Sequence, residues 1–214
     1  MAVPTALQVR RALPWIALGL AAAAALAIVA IDRPMARYYA DHGVEARADW
    51  TRIRVWIDTH TGIDVHQWFL AIVTVGLGVV AALVPRLRGS ARVWFFAAAV
   101  QVVTRLATTE LKPALGRLRP SQWVDRGGPT FFEHGVSFPS GHATYYLGLV
   151  VPFAIAWPRV GLPLLIVPIF VAWSRVAVNA HFVADILGSA ALVALITWAL
   201  ALAFRIDGRR GWRR

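Results

Sequence analysis

No cysteine occurs in this chain of 214 residues, so a disulfide framework, a thiolate metal site and a thiol nucleophile are all excluded. Charge is scarce as well: 15% of residues are charged against 58% hydrophobic, where a soluble domain carries about a quarter charged. That deficit marks a membrane protein. Acid is scarcer still, with 11 acidic against 22 basic side chains, and every basic residue except Lys112 is arginine. The charge of +11 does not point to nucleic acid, because the positives cluster beside apolar runs, as they do where cytoplasmic loops retain cations. No internal repeat appears, and the alanine-rich first apolar run is the only stretch of low complexity.

What is present is a series of six apolar runs, at 12–31, 68–84, 93–111, 141–157, 160–173 and 182–204, which predicts an all-α, six-span bundle forming one domain over 1–214. The first run is longer than the apolar core of a cleaved leader and is read as a retained span. The fifth is short and contains Pro163 and Pro168, so its helix is expected to continue past Trp173 and include Arg175. Arg10 and Arg11 before the first run, the loop with Arg86, Arg88 and Arg92, and the tail from Arg205 to Arg214 are all basic. They place both termini in the cytoplasm and the segments after spans one, three and five outside. Trp15, Trp68, Trp94, Trp157 and Trp173 fall near span ends, where amphipathic rings favour the interface. The outer segment 32–65 holds five arginines against six acids and reads as an interfacial stretch without chemistry of its own. Its His60 and His66 are spaced for different helix faces and lack a third ligand, so they read as solvated.

Three polar groups interrupt this pattern at the outer ends of the spans. Lys112 and Arg119-Pro120 form the first, in a loop covering 112–140, and Phe138-Pro139-Ser140-Gly141-His142 the second. The third runs from Ser174-Arg175 through His181 to Asp185. Pro139-Ser140-Gly141 reads as a turn opening a helix, whose unpaired amides and positive dipole end make a natural phosphate seat. Lys112, Arg119 and Arg175 are three cationic donors suited to a phosphate's charge and oxygens. His181 and Asp185, four apart on one helix face, suit a nucleophile whose other ring nitrogen is held by a carboxylate. His142 lies across the seat as the acid and base. Taken singly, span-end arginines snorkel and Pro-Ser-Gly caps a helix. Together the three groups share one side of the membrane and one chemical logic.

These segments, Lys-x6-Arg-Pro, Pro-Ser-Gly-His and Ser-Arg-x5-His-x3-Asp, resemble the tripartite signature of the type 2 phosphatidic acid phosphatase superfamily, matched at every position from Lys112 to Asp185. The resemblance implies a lipid phosphatase of the family's membrane branch that needs no metal or other cofactor. By it, His181 would become the phosphohistidine, Asp185 would orient it, and His142 would protonate the departing oxygen. Lys112, Arg119 and Arg175 would bind phosphate, with donors from Ser140 and Gly141. The substrate would be a lipid phosphate: phosphatidic acid, phosphatidylglycerol phosphate, undecaprenyl diphosphate or a phosphate of lipid A. The motif does not choose among them, nor between hydrolysis and transfer to a second lipid. A bacterial plasma membrane, with the site facing the periplasm or exterior, is the expected location.

Four residues outside the signature carry smaller expectations. Arg105 sits seven before Lys112, about 10 Å deeper by helical rise, and is either a functional residue or half of a structural ion pair. Glu110, five from Arg105, is poorly placed to meet it. Arg117 and Arg126 read as solvated.

Overall fold

The computed structural model describes residues 3–42 and 44–206, with no strand among them. Each of the six apolar runs becomes a helix or helix pair. The first is α1 (Ala6–Ala30), opened by a capping box in which Thr5 Oγ1 accepts from the Gln8 amide and the Gln8 side chain accepts from the Thr5 amide. The outer segment folds as two helices, α2 (Asp32–His42) and α3 (Val44–Thr61). Then come α4 (Phe69–Leu83), α5 (Ala91–Leu115), the short α6 (Pro120–Arg126) and α7 (Gly141–Ala156). The chain closes with α8 (Pro158–Leu164), α9 (Ile166–Ala177) and α10 (Val183–Ala203).

Three stretches are long and apolar enough to cross a bilayer: α1, α8 with α9 over Pro158–Ala177, and α10. The fifth helix does continue through Arg175, to Ala177. Both α4 and α7 are apolar but shorter, and α5 extends beyond the expected 93–111 at both ends, carrying Arg92, Arg105, Glu110 and Lys112. A belt of apolar side chains faces outward, among them Trp15, Leu26, Val29, Ile72, Leu83 and Ile166. Such a surface would be untenable in water and fits hydrocarbon. The basic tail expected inside lies largely outside the described residues, from 207 onward.

Small residues set the packing. Ala17, Ala24 and Ala27 line one face of α1 and let it lie close along α10, in antiparallel sense: Ala24 and Ala27 meet Ala184, while Leu13 and Ala17 cluster with Ala194 and Ala201. Helices α5, α7 and α10 pack on one another, α4 covers α5, and α9 leans on α7. At one end of the bundle meet the end of α5, the start of α7, the end of α9 and the start of α10. The links are direct: Lys112 Nζ donates to Val136 O at 2.6 Å, the Ser140 amide to Ser189 Oγ at 2.8 Å, and the His181 amide to Arg175 O at 3.1 Å.

Two glycines shape the reversal after α5. Gly116 ends the helix in the left-handed region, φ 52°, which side chains avoid and glycine enters freely. Gly135 lets the returning loop touch the strand of chain at Arg117 and Leu118, where a Cβ would stand 2.1 Å from Arg117 O. Gly135→Ala must therefore push the loop off this backbone, and is expected to cost ~1–3 kcal/mol as overpacking. Gly76 on α4 has nothing within 4 Å of its would-be Cβ, so Gly76→Ala should not destabilise and should gain up to about 1 kcal/mol in helix propensity. Thermal unfolding of both variants in detergent checks the contrast; equal transitions would contradict it.

Candidate active site

The carboxylate of Asp185, in the first turn of α10, is fully buried, and its place in the structure follows from how that charge is satisfied. Oδ2 accepts from the Phe182 amide at 2.9 Å, from Ser137 Oγ at 2.5 Å and from His181 Nδ1 at 3.2 Å. Oδ1 accepts from Arg117 Nη1 at 2.6 Å. The other end of the same guanidinium donates to Asp32 Oδ2 at 2.5 Å, and Asp32 Oδ1 accepts from the Ala184 amide at 3.0 Å. Arg117 is 0% exposed and lies 4.5 Å from the ring centre of Phe131 and 4.4 Å from that of Phe182. An ion pair without water on either side is retained only when every charged atom has a partner, and here nearly all do.

This corrects two readings. Arg117 is a buried bridge and not a solvated cation, because the loop folds back over it with aromatic rings. Asp32, the first residue of α2, belongs to the core of the site although its segment looked chemically silent.

His181, itself buried, is held by Asp185 through Nδ1, which leaves Nε2 with a free lone pair. Burial pushes its ring down to about 4, against the opposing pull of the Asp185 carboxylate. The imidazole is thus neutral, the form a nucleophile needs.

His142 occupies the second position of α7 and is partly exposed. Its Nε2 lies 3.3 Å from Oδ2 of Asp58, a fully buried residue of α3. Tyr146 donates to Asp58 Oδ1 at 2.7 Å, and Arg54 pairs with Oδ2. Burial alone would raise the Asp58 carboxyl, yet bonds from His142 and Tyr146 and the Arg54 charge hold it below the usual carboxylate range. The segment 32–65 is therefore part of the site and not merely interfacial: α3 holds His142 through Asp58, and Thr61 Oγ1 meets the Tyr146 hydroxyl at 2.6 Å.

Around these rings stand the cations. Lys112, Arg119 and Arg175 are half-buried, and among the described residues none has a carboxylate within salt-bridge distance. Arg175 lies within Coulomb range of both His142 and His181. Ser140 caps α7 through its hydroxyl, and its own amide is taken by Ser189. Among the described residues, the amides of Gly141 and His142 keep no acceptor, and these are the two left to meet an anion. Ser174 is buried and donates to Val171 O at 2.7 Å within its own helix, a local bond that stiffens the turn before Arg175.

A profile of the PAP2 superfamily matches residues 91–209, more than half of the chain. The chain belongs to the PAP2 superfamily. Comparison with curated proteins and with solved structures gives no match. Members of this superfamily are phosphatases, so at that level this PAP2 protein is a phosphoric ester hydrolase. The matched range contains the three polar groups that motif spacing singled out. It does not contain Asp32, Arg54 or Asp58, which complete the PAP2 site from α2 and α3.

The remaining residues singled out by sequence stay outside. Glu110 and Arg126 are exposed, His60 packs on Trp56, and the His66 ring nitrogen accepts from the Trp68 amide. Sequence reasoning missed Asp32, Arg54, Asp58, Ser137 and Ser189. A carboxylate set directly at the end of an apolar run, as Asp32 is, was the one available signal.

Two tests follow from this geometry. Replacing Arg117 by Met leaves two buried carboxylates unpaired and should destabilise the PAP2 fold by about 3–5 kcal/mol, whereas Arg126→Met should shift the thermal transition little. In protein labelled with 15N-histidine, the ring absent from the His181→Gln spectrum should titrate near pH 4 and stay neutral above it. A midpoint at or above the ordinary histidine value would contradict a buried neutral nucleophile.

Proposed function

We propose that this protein is an integral membrane lipid phosphatase that removes a terminal phosphate through a phosphohistidine on the outer side of a six-span bundle, both termini being cytoplasmic. One observation carries the reading. A neutral histidine ring, held at Nδ1 by a carboxylate that Arg117 also engages, shares one end of the bundle with three cations that have no protein anion to neutralise. Unpaired cations at a low-dielectric boundary are costly unless an anion is their purpose.

The steps follow from the atoms. The phosphoryl group settles on the amides of Gly141 and His142, with Lys112, Arg119 and Arg175 drawing charge from its oxygens. His181 Nε2 attacks phosphorus, the bond from phosphorus to the leaving oxygen breaks, and His142 delivers a proton to that oxygen. Asp58 holds Nε2 of His142, so Nδ1 is the nitrogen turned to the leaving group. Asp185 stabilises the charge that develops on the His181 ring. Water then gives its proton to His142 and its oxygen to phosphorus, the P–N bond breaks, and phosphate leaves with both histidines restored. No step calls on a metal ion.

The chemistry can be checked in detergent with a 32P-labelled lipid phosphate. His181→Ala and His142→Ala should each lose turnover by a factor on the order of 10^2–10^4 or more, and only the first should fail to form a labelled protein. Phosphate release without added acceptor, unchanged by chelator, marks a metal-independent hydrolase; label passing only to a second lipid would mark a phosphotransferase instead. Near-normal turnover by His181→Ala would remove the mechanism.

A further inference from the structure

The cations at the seat end of the bundle are accounted for, Arg105 included. It lies on α5 two turns before Lys112, yet its Nη1 is 3.8 Å from the point a Cβ on Gly141 would occupy, and Cε of Lys112 is 4.0 Å from the same point. Its hydrogen-bond partner is the neutral side chain of Gln67. Among the described residues no carboxylate pairs with it, so the structural ion pair is absent and Arg105 joins the cations around one anion seat.

The arginines at the opposite end have no such employment. Every acid of residues 3–206 falls in 32–64, in 110–133 or at 185, all in or beside the segments that build the seat end. The other end, where α1 and α5 begin and α4, α7 and α10 finish, carries Arg10, Arg11, Arg86, Arg88, Arg92 and Arg159 and, among the described residues, no acid. Between the loop after α4 and the corner from α7 into α8 lies an open groove of about 810 Å³, lined by Arg86, Leu87, Trp157, Pro158, Arg159 and Val160. The whole length of α7, roughly 23 Å by helical rise, separates it from Gly141, so it is no part of the seat.

The groove has a firm wall. The Trp157 ring stacks on Phe153 at 5.5 Å and meets Trp94 edge-on at 5.9 Å, and Gly161 lets α8 close on α7 where a Cβ would stand 2.2 Å from the Ala154 amide nitrogen. Its depth is that of a membrane interface, because Pro158 opens the stretch Pro158–Ala177 that is long enough to cross a bilayer. Arg88 turns back to α4, its Nε donating to Ala82 O at 3.2 Å. Arg86 and Arg159 instead stand exposed on the groove, and among the described residues neither has a carboxylate within salt-bridge distance. Two cations beside an apolar wall suit an anionic amphiphile: a free anion makes no use of Leu87, Trp157 and Val160, and a neutral chain makes none of the arginines. We propose that this groove binds one anionic phospholipid of the leaflet opposite the seat, its phosphodiester between Arg86 and Arg159 and its acyl chains along Leu87, Trp157 and Val160. The bound lipid ties the loop after α4 to the α7–α8 corner, and its site is independent of the chemistry at His181.

Native mass spectrometry of the full chain, released from a neutral detergent carrying equal amounts of dioleoyl phosphatidylglycerol and dioleoyl phosphatidylcholine, tests the site. The wild type should retain phosphatidylglycerol over phosphatidylcholine by about fivefold or more, and Arg86→Gln combined with Arg159→Gln should bring the ratio close to one. Arg119→Gln, which alters the seat, should keep the preference and so separates the groove from the catalytic end. Leu87→Glu leaves both arginines in place and should lower the preference through its added negative charge; it serves if the double variant does not fold. Inorganic phosphate in excess should not displace the lipid. A wild type without preference, a preference that survives the double variant, a preference lost in Arg119→Gln, or displacement by inorganic phosphate overturns the assignment.

Discussion

The Asp185 carboxylate is fully buried against the His181 ring and has to find its partners within the protein. The bridge Asp32–Arg117–Asp185 meets that requirement with one guanidinium shared between two acids. Its consequence is architectural. Arg117 comes from the loop after α5, Asp32 from the start of α2 and Asp185 from α10, so three distant segments must arrive together before any of the three charges is tolerable. The Phe131 and Phe182 rings stack on Arg117 and close over the bridge, and the same loop carries Arg119. Packing, charge balance and the aim of the nucleophile are thus one constraint.

The second histidine is served by a parallel device of different construction. Asp58 reaches His142 from α3, a helix with charged residues along much of its length, and its burial is offset by Arg54, Tyr146 and the imidazole itself. The two histidines therefore take their carboxylates from different parts of the chain, Asp185 from within the matched PAP2 range and Asp58 from outside it.

Charge is distributed by the same logic. Arg54 and Arg117 are spent on buried acids, whereas Lys112, Arg119, Arg175 and Arg105 face the seat without a protein anion. Since these residues gather at one end of an apolar bundle, their mutual repulsion would be relieved by an anion placed among them.

Much of this was legible beforehand. Six apolar runs predict the helices α1, α4, α5, α7, α8–α9 and α10, since hydrophobic length is a local property, and the continuation of the fifth through Arg175 follows from its shortness. The spacing from His181 to Asp185 is equally local, because four residues is one helical turn, and the structure brings the pair to 3.2 Å. Arg117 shows where such reasoning stops: an arginine in a loop between Lys112 and Arg119 looks solvated, and only the return of the chain at Gly135 encloses it. Asp58 is the same case on a polar helix whose near balance of charge hid one buried face. The sequence by itself determined the helices and the short-range pairs, whose geometry depends on rise per residue. Tertiary structure alone decided which acid answers which cation and that Arg105 reaches the seat, because a buried charge finds its partner through space.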